Sequence, residues 1–205
     1  VNHFPENPGL PENVYKSGYF GTSNSNLAHV GFMEVNSSQT ISMYMNDSDK
    51  SNIDRVGHRR WCLNPSMKTV GFGTEGSYSA LWAHNTSSEK IPNYDFVSFP
   101  AKGIMPSTHF NSSYAWSVSL NNALYKTPDK ATVNVKISLI KGALNNELKI
   151  SYQNIELSGF GINNAIIFKP DSVSISPKTR YHVVISGLKD SAGKDTKIEY
   201  YVEFF

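Results

Sequence analysis

The stretch from Asn52 to Gly73 reads NIDRVGHRRWCLNPSMKTVGFG, the densest mixture of polar, aromatic and glycine residues in the chain. Its core, Gly57 to Trp61, combines a histidine, two arginines and a tryptophan. A proline pushes the preceding residue out of the helical region. The Asn64-Pro65 pair therefore predicts the end of a short helix that carries His58. The apolar run from Thr69 to Gly73 then predicts a strand.

Apolar periodicity predicts the elements around this stretch. Ile41, Tyr44 and Met45 follow the i, i+3, i+4 spacing of a helix, and Ser37 or Ser38 can cap its start. The many prolines and glycines of residues 1–31 exclude a long helix there and leave one helical turn at Glu12 to Ser17. The other predicted elements are the helices 37–47 and 54–61 and the strands 70–73 and 77–84, joined by a turn at 74–76.

The second half of the chain has the period of strands. Between Thr132 and Ile140, Val, Ile and Leu alternate with polar residues, as in a half-buried strand. The same pattern predicts strands at 165–168, 181–188 and 197–204, with a turn at 189–194. No helical period of useful length follows residue 125. Several short strands separated by turns favour an antiparallel β-sandwich.

A loop-like segment with Pro92, Pro100, Gly103 and Pro106 separates the two halves. A chain of 205 residues can form one large or two small domains. We therefore expect two domains, residues 1–97 and 98–205.

The composition excludes several classes of function. A net charge of +2, with Arg59-Arg60 as the only tight basic cluster, gives no basis for nucleic-acid binding. No apolar run is long enough for a transmembrane segment. The chain starts at Val1-Asn2-His3 without the features of a signal peptide. The single cysteine, Cys62, excludes an intrachain disulfide.

Two parts of the sequence carry a resemblance to a known family. GHRRWCLNP followed by VGFG, and the upstream HFPENPGLPENVYKSGYFGTSNSNLAHV, resemble the bacterial branch of the CAP superfamily (cysteine-rich secretory proteins, antigen 5, pathogenesis-related 1), also called SCP-like. The resemblance covers roughly residues 1 to 90. It implies a secreted or cell-surface bacterial protein with a CAP-like α-β-α sandwich whose N-terminal helix is absent here. The end of the chain resembles Ig-like modules of bacterial surface proteins. The expected fold class is therefore α+β, an α-β-α sandwich followed by an all-β antiparallel sandwich.

The resemblance also implies a cleft lined by two histidines and two acidic residues. His58 matches the histidine of the Gly-His motif, and His3 matches the histidine that opens the first loop. The acidic positions fall on Ser25, which departs from the family's glutamate, and on Asp47. Asn26 and Arg59 are expected to complete the ligand-binding cleft.

Two imidazoles and one carboxylate suit two kinds of chemistry. His3 and His58, with Asp47 as a further ligand, could hold Zn²⁺ or another divalent metal. A histidine with a pKa near neutrality could also act as a general acid or base. Structural roles compete with these: His58 could bond a backbone carbonyl, Asp47 could end a helix, and Arg59 could tie loops together.

Three hypotheses of function are compatible with these residues. In the first, the chain is an exported, non-enzymatic module that binds a small ligand, a peptide or a cell-surface partner in a histidine-lined cleft. In the second, it is a metal-dependent, peptidase-like hydrolase with His3, His58 and Asp47 as candidate catalytic residues. In the third, it is an adhesive or structural module of the cell surface.

Overall fold

A computed structural model describes residues 1–31, 34–142 and 144–205. They form two compact units: Val1–Met45 with His58–Pro92, and Asn46–Gly57 with Asn93–Phe205. The helices are α1 (Glu12–Ser23), α2 (Ser37–Asn46) and α3 (Gly57–Cys62), with a 3₁₀ turn at Ser107–His109. The strands are β1 (Ser25–His29), β2 (Gly71–Glu75), β3 (Tyr78–Trp82), β4 (Phe96–Phe99), β5 (Gly103–Met105), β6 (Trp116–Leu120), β7 (Asn134–Lys141), β8 (Leu144–Glu147), β9 (Ile150–Glu156), β10 (Ala165–Pro170), β11 (Arg180–Lys189) and β12 (Asp195–Phe204).

The first unit contains an antiparallel sheet of three strands in the order β1-β3-β2. Tyr44 of α2 packs with Leu81 and Ala83, and Ala28 joins this cluster, so α2 covers one face of the sheet. The Tyr44 hydroxyl lies 3.1 Å from the Asn26 carbonyl oxygen, to which it can donate, and 2.9 Å from the Ser79 Oγ. These contacts fix the helix on the sheet.

A two-residue turn, Gly76-Ser77, joins β2 to β3. Gly76 has φ of +53°, the conformation that type II′ hairpin turns require at their first central residue. The turn sets the register, which places Gly73 opposite Ala80 and Glu75 opposite Tyr78.

The second unit consists of two sheets, β4-β6-β10-β9 and β5-β12-β11-β7-β8, antiparallel except for the pair β5 and β12. Buried aromatic rings join the sheets: Trp116 of β6 lies 5.6 Å from Tyr181 of β11, and Phe110 lies 5.4 Å from Phe204 of β12. The core of this unit is therefore the space between two sheets.

The segment Asn46–Gly57 belongs to the second unit although it lies between α2 and α3 in sequence. Val56 and Ile53 pack with the buried side chains of Ala115, Ala165 and Ile167. The Ala115 amide donates a hydrogen bond to Ser48 Oγ at 2.8 Å. The first unit therefore consists of two stretches of the chain, one before and one after this segment.

Two helix predictions were wrong for local reasons. The helix predicted at 54–61 begins at Gly57, because Val56 has φ of +42° and leaves the helical region. The single turn predicted at Glu12 is a helix of 12 residues. Gly18 and Gly21 lower its stability by only about 1 kcal/mol each and do not forbid it, and no proline follows Pro11 within it.

The expected fold class, an α+β protein with an α-β-α sandwich, was wrong. The protein is mainly β, with twelve strands in three sheets and helices of only 12, 10 and 6 residues among the described residues. An α-β-α sandwich needs helices packed on both faces of its sheet. On the face opposite α2, α1 borders a cavity but contains no buried residue, so it does not pack there as a full second layer. None of the described helices is long and apolar enough to cross a membrane.

Candidate functional site

A cavity of about 510 Å³ lies on the face of the first unit's sheet opposite α2. Its floor is formed by Leu27, Ala80 and Gly73, which face each other across β1, β3 and β2. Paired residues of a sheet share a face. Two of the three have small or absent side chains, so the floor is hollow.

The wall of the cavity comes from the segment Val1–Pro5 and from Thr22 near the end of α1. The Tyr15 hydroxyl donates a hydrogen bond to the Pro5 carbonyl oxygen at 3.0 Å. The His3 Nδ1 lies 2.9 Å from the Thr22 carbonyl oxygen. These bonds hold the segment along α1.

The rim is aromatic and carries one charge. Tyr78 stacks on His29, with ring centroids 4.5 Å apart and planes at 19°. Glu75, opposite Tyr78, is the only Asp, Glu, Lys, Arg or His among the described residues that line the cavity. The cavity therefore suits an apolar group attached to a neutral or cationic one.

The predicted cleft residues on β1 and α3 lie in packed surroundings. Ser25 and Asn26 are each 2% exposed, and Arg59 is fully buried. The Asn26 amide donates to the His58 carbonyl oxygen at 3.0 Å, and the Arg59 Nε donates to the Met45 carbonyl oxygen at 2.7 Å. These hydrogen bonds connect β1 to α3 and α3 to α2 within the first unit.

His58 lies beside Tyr44, with ring centroids 5.6 Å apart. Burial raises the pKa of Tyr44 to about 12, and the hydrogen bond from Ser79 offsets part of that effect. Tyr44 is therefore neutral at physiological pH and acts here as a hydrogen-bonding core residue.

His84 is a residue that sequence reasoning did not select. Its ring stacks on Trp61 at 3.9 Å with planes at 23°. Its pKa lies below the ordinary value, first because of burial and then because of the charge of His3. The structure thus couples His3 electrostatically to His84. No motif in the sequence signals this pair.

Asp47 is buried, has φ of +45° and belongs to the second unit, whereas His3 and His58 belong to the first. Within residues 1–31, 34–142 and 144–205, no three side chains of His, Cys, Asp or Glu gather in a way that could hold a metal ion. None of the six predicted cleft residues is among those that line the cavity.

The fold and the cavity define a mainly β protein of two units, one of which carries an apolar hollow beside an edge strand. No family model matches the chain, and no curated protein matches it. One solved structure that matches is the selenomethionine form of PcoC, a copper resistance protein from Escherichia coli. It has 10% identity and a TM-score of 0.37, and the match covers 53% of this chain and 96% of that one. A likeness this distant supports no conclusion about metal binding here.

The resemblance to the CAP superfamily was wrong. The described structure is mainly β and lacks the α-β-α sandwich that the family implies, and no family model supports the motif. The GHRRWC motif instead forms the six-residue helix α3, whose Arg59 is buried and bonds to a backbone carbonyl.

Proposed function

We propose that the protein is an exported, non-enzymatic binding module whose first unit holds an apolar group in the cavity on β1, β3 and β2. One observation carries this proposal: the lining is dominated by apolar and small residues, with a single carboxylate. Sites for small ligands are concave, mostly apolar and equipped with few polar groups.

The surroundings of the cavity support binding. Tyr78, which lines the cavity, and Phe4, in the segment that forms its wall, are large aromatic residues that remain exposed. Exposed apolar patches of this kind mark interaction sites more often than chance. Export rests on the composition, which is low in charge and rich in asparagine and serine.

Titration with the neutral fluorescent probe N-phenyl-1-naphthylamine tests the proposal. We expect saturable binding of one probe per chain. The Gly73→Leu variant fills the floor, because a Cβ added there meets no atom within 4 Å and the backbone is not left-handed. Filling the site should weaken binding roughly tenfold to a hundredfold, the equivalent of one buried apolar side chain.

The matched control is Gly71→Leu. Gly71 lies two residues earlier on the same face of the same strand, outside the cavity lining, and an added Cβ there makes ordinary contact with Trp82. Its probe affinity should equal that of the unsubstituted protein. Equal affinity in the Gly73→Leu variant, or no saturable binding at all, contradicts the proposal.

A further inference from the structure

The outer edge of β2 is open, in that no strand of the described residues pairs with it. β2 is an edge strand of the sheet β1-β3-β2, and its residues Phe72 to Glu75 are exposed, Phe72 to 48%. An edge strand presents a row of unpaired backbone groups, which proteins usually protect with lysine, proline or a bulge. β2 contains no lysine, proline or bulge, its one charged residue is Glu75 at its C-terminal end, and its pairing with β3 is regular.

The register identifies the backbone groups that face outward. In an antiparallel pair, hydrogen-bonded and non-hydrogen-bonded positions alternate, and the pair that flanks a two-residue turn is hydrogen-bonded. Glu75, Gly73 and Gly71 therefore bond to β3, and the amides and carbonyls of Phe72 and Thr74 point to the open edge. Outside the β2–β3 ladder, no described residue forms a hydrogen bond with Phe72 or Thr74.

The cavity lies directly beside this edge. A strand added to β2 would place the residue opposite Gly73 on the face that carries Leu27 and Ala80. Gly73 leaves the space above it empty, so a large apolar side chain of the added strand can enter the cavity. Aromatic residues opposite glycines stabilise strand pairs in this way.

Glu75 supplies a second element of recognition. It lies two residues after Gly73 on the same face of β2. Opposite charges on directly paired residues stabilise a sheet, and like charges destabilise it. A lysine or arginine two residues from the apolar side chain would therefore face the Glu75 carboxylate.

We infer that the first unit recognises an extended segment of another polypeptide, which adds as a strand to the open edge of β2 and places an apolar side chain in the cavity and a basic one opposite Glu75. This inference rests on the proposed function, since it names the class of ligand that the cavity holds. Strand addition derives affinity from backbone hydrogen bonds and specificity from alternate side chains.

The probe is the peptide acetyl-Thr-Lys-Thr-Phe-Thr-Lys-Thr-amide, with binding measured by isothermal titration calorimetry on the full chain. We expect saturable binding, weakened about tenfold when Phe is replaced by Ala. N-methylation of the two threonines beside Phe blocks the amides that face β2 and should abolish binding. N-methylation of Phe, whose amide faces away from β2, should leave it unchanged.

A pair of protein variants tests the edge itself. Phe72→Pro removes an outward amide, and proline is tolerated on edge strands whose N–H faces solvent. Phe72→Val also loses the phenyl ring but keeps the amide. We expect the proline variant to bind the peptide about tenfold more weakly than the valine variant, the effect of one lost hydrogen bond and an unsatisfied partner. Phe72 does not line the cavity, so N-phenyl-1-naphthylamine should bind both variants alike.

The outcomes separate the two proposals. Binding of the naphthylamine without binding of the peptide overturns strand addition and leaves the apolar cavity standing. Binding of neither overturns both. Equal peptide affinity of the Phe72→Pro and Phe72→Val variants also overturns strand addition. If the protein does not bind the peptide but forms a dimer that Phe72→Pro dissociates, then the edge of β2 pairs with a second copy of the chain. That result would contradict the inference.

Discussion

The hydroxyl of Tyr152 on β9 donates a hydrogen bond to the carboxylate of Asp54, 98 residues earlier in the chain. The neighbouring Asn154 amide donates to the Asp54 carbonyl oxygen at 2.6 Å. Burial and the negative charge of Asp54 raise the pKa of Tyr152, so the phenol remains a donor. Together with Val56, this pair anchors the segment Asn46–Gly57 within the second unit.

The Tyr152→Phe substitution should release this anchor. We expect the free energy of unfolding to fall by about 1 kcal/mol, the net value of a typical hydrogen bond. Amide exchange should rise in residues 49–55 before it rises in the strands. Tyr201→Phe is the control, because the hydroxyl of Tyr201 has no hydrogen bond among the described residues. Equal effects of the two substitutions would show that the bond to Asp54 contributes nothing.

Two glycines should respond to alanine in opposite directions. A Cβ on Gly57 would lie 3.0 Å from Cδ1 of the Phe160 ring, so Gly57→Ala should destabilise the protein by roughly 1–3 kcal/mol. A Cβ on Gly18, inside α1, meets nothing within 4 Å, so Gly18→Ala should stabilise by roughly 0.5–1 kcal/mol. Urea unfolding of both variants measures the difference. A neutral Gly57→Ala would contradict the expected clash, because the Phe160 ring would then move aside without cost.

Tyr44 should make stability depend on alkaline pH. Its pKa is raised to about 12 in the folded protein, against about 10 when unfolded. The unfolded chain therefore loses this proton first, and the stabilisation is complete below pH 10 and is lost as the pH rises through 12. We expect the stability difference between the unsubstituted protein and Tyr44→Phe to shrink by up to about 2 kcal/mol over that window. A difference that stays constant would contradict the buried, neutral phenol.

The pKa of His84 should depend on the presence of His3. Burial is the main cause of the lowered pKa of His84, and the charge of His3 is the second. His3→Gln should therefore raise the pKa of His84 toward its ordinary value without reaching it, as followed by NMR of the imidazole protons. His109→Gln, an exposed histidine of the second unit, is the control and should change nothing. An unchanged pKa of His84 in the His3→Gln variant would show that the charge of His3 does not act on His84.

The same coupling has a consequence at acid pH. Because the folded-state pKa of His84 is lowered, the unfolded chain binds the proton first as the pH falls below about 6.5. The stabilisation that the lowered pKa of His84 represents is therefore complete above that pH and is lost as the pH falls through the folded-state pKa. His3→Gln should reduce this loss, which urea unfolding between pH 7 and pH 5 measures.

Strands with strict alternation were predictable from the sequence. The predicted strands at 181–188 and 197–204 are confirmed as Arg180–Lys189 and Asp195–Phe204, because alternating buried residues define one face of a sheet. The predicted helix at 37–47 is confirmed as Ser37–Asn46. The short strands β4 and β5 fell in a segment interpreted as a loop, since strands of four and three residues bounded by prolines leave no period to detect.

The candidate site was not predictable, for two physical reasons. Its floor exists only once the turn at Gly76 has set Gly73 opposite Ala80, a long-range consequence of register. The predicted cleft depended on the family resemblance, which was wrong, and the structure distributes its residues over two units. That residues 1–97 and 98–205 are separate domains stays a prediction.

The most direct test of the binding cavity is NMR of the methyl groups during titration with N-phenyl-1-naphthylamine. The cavity predicts that the signals of Leu27 and Ala80 shift and saturate together, while Ile167, buried in the second unit, does not move. Shifts confined to the second unit, or unchanged signals of Leu27 and Ala80 at saturating probe, would contradict it.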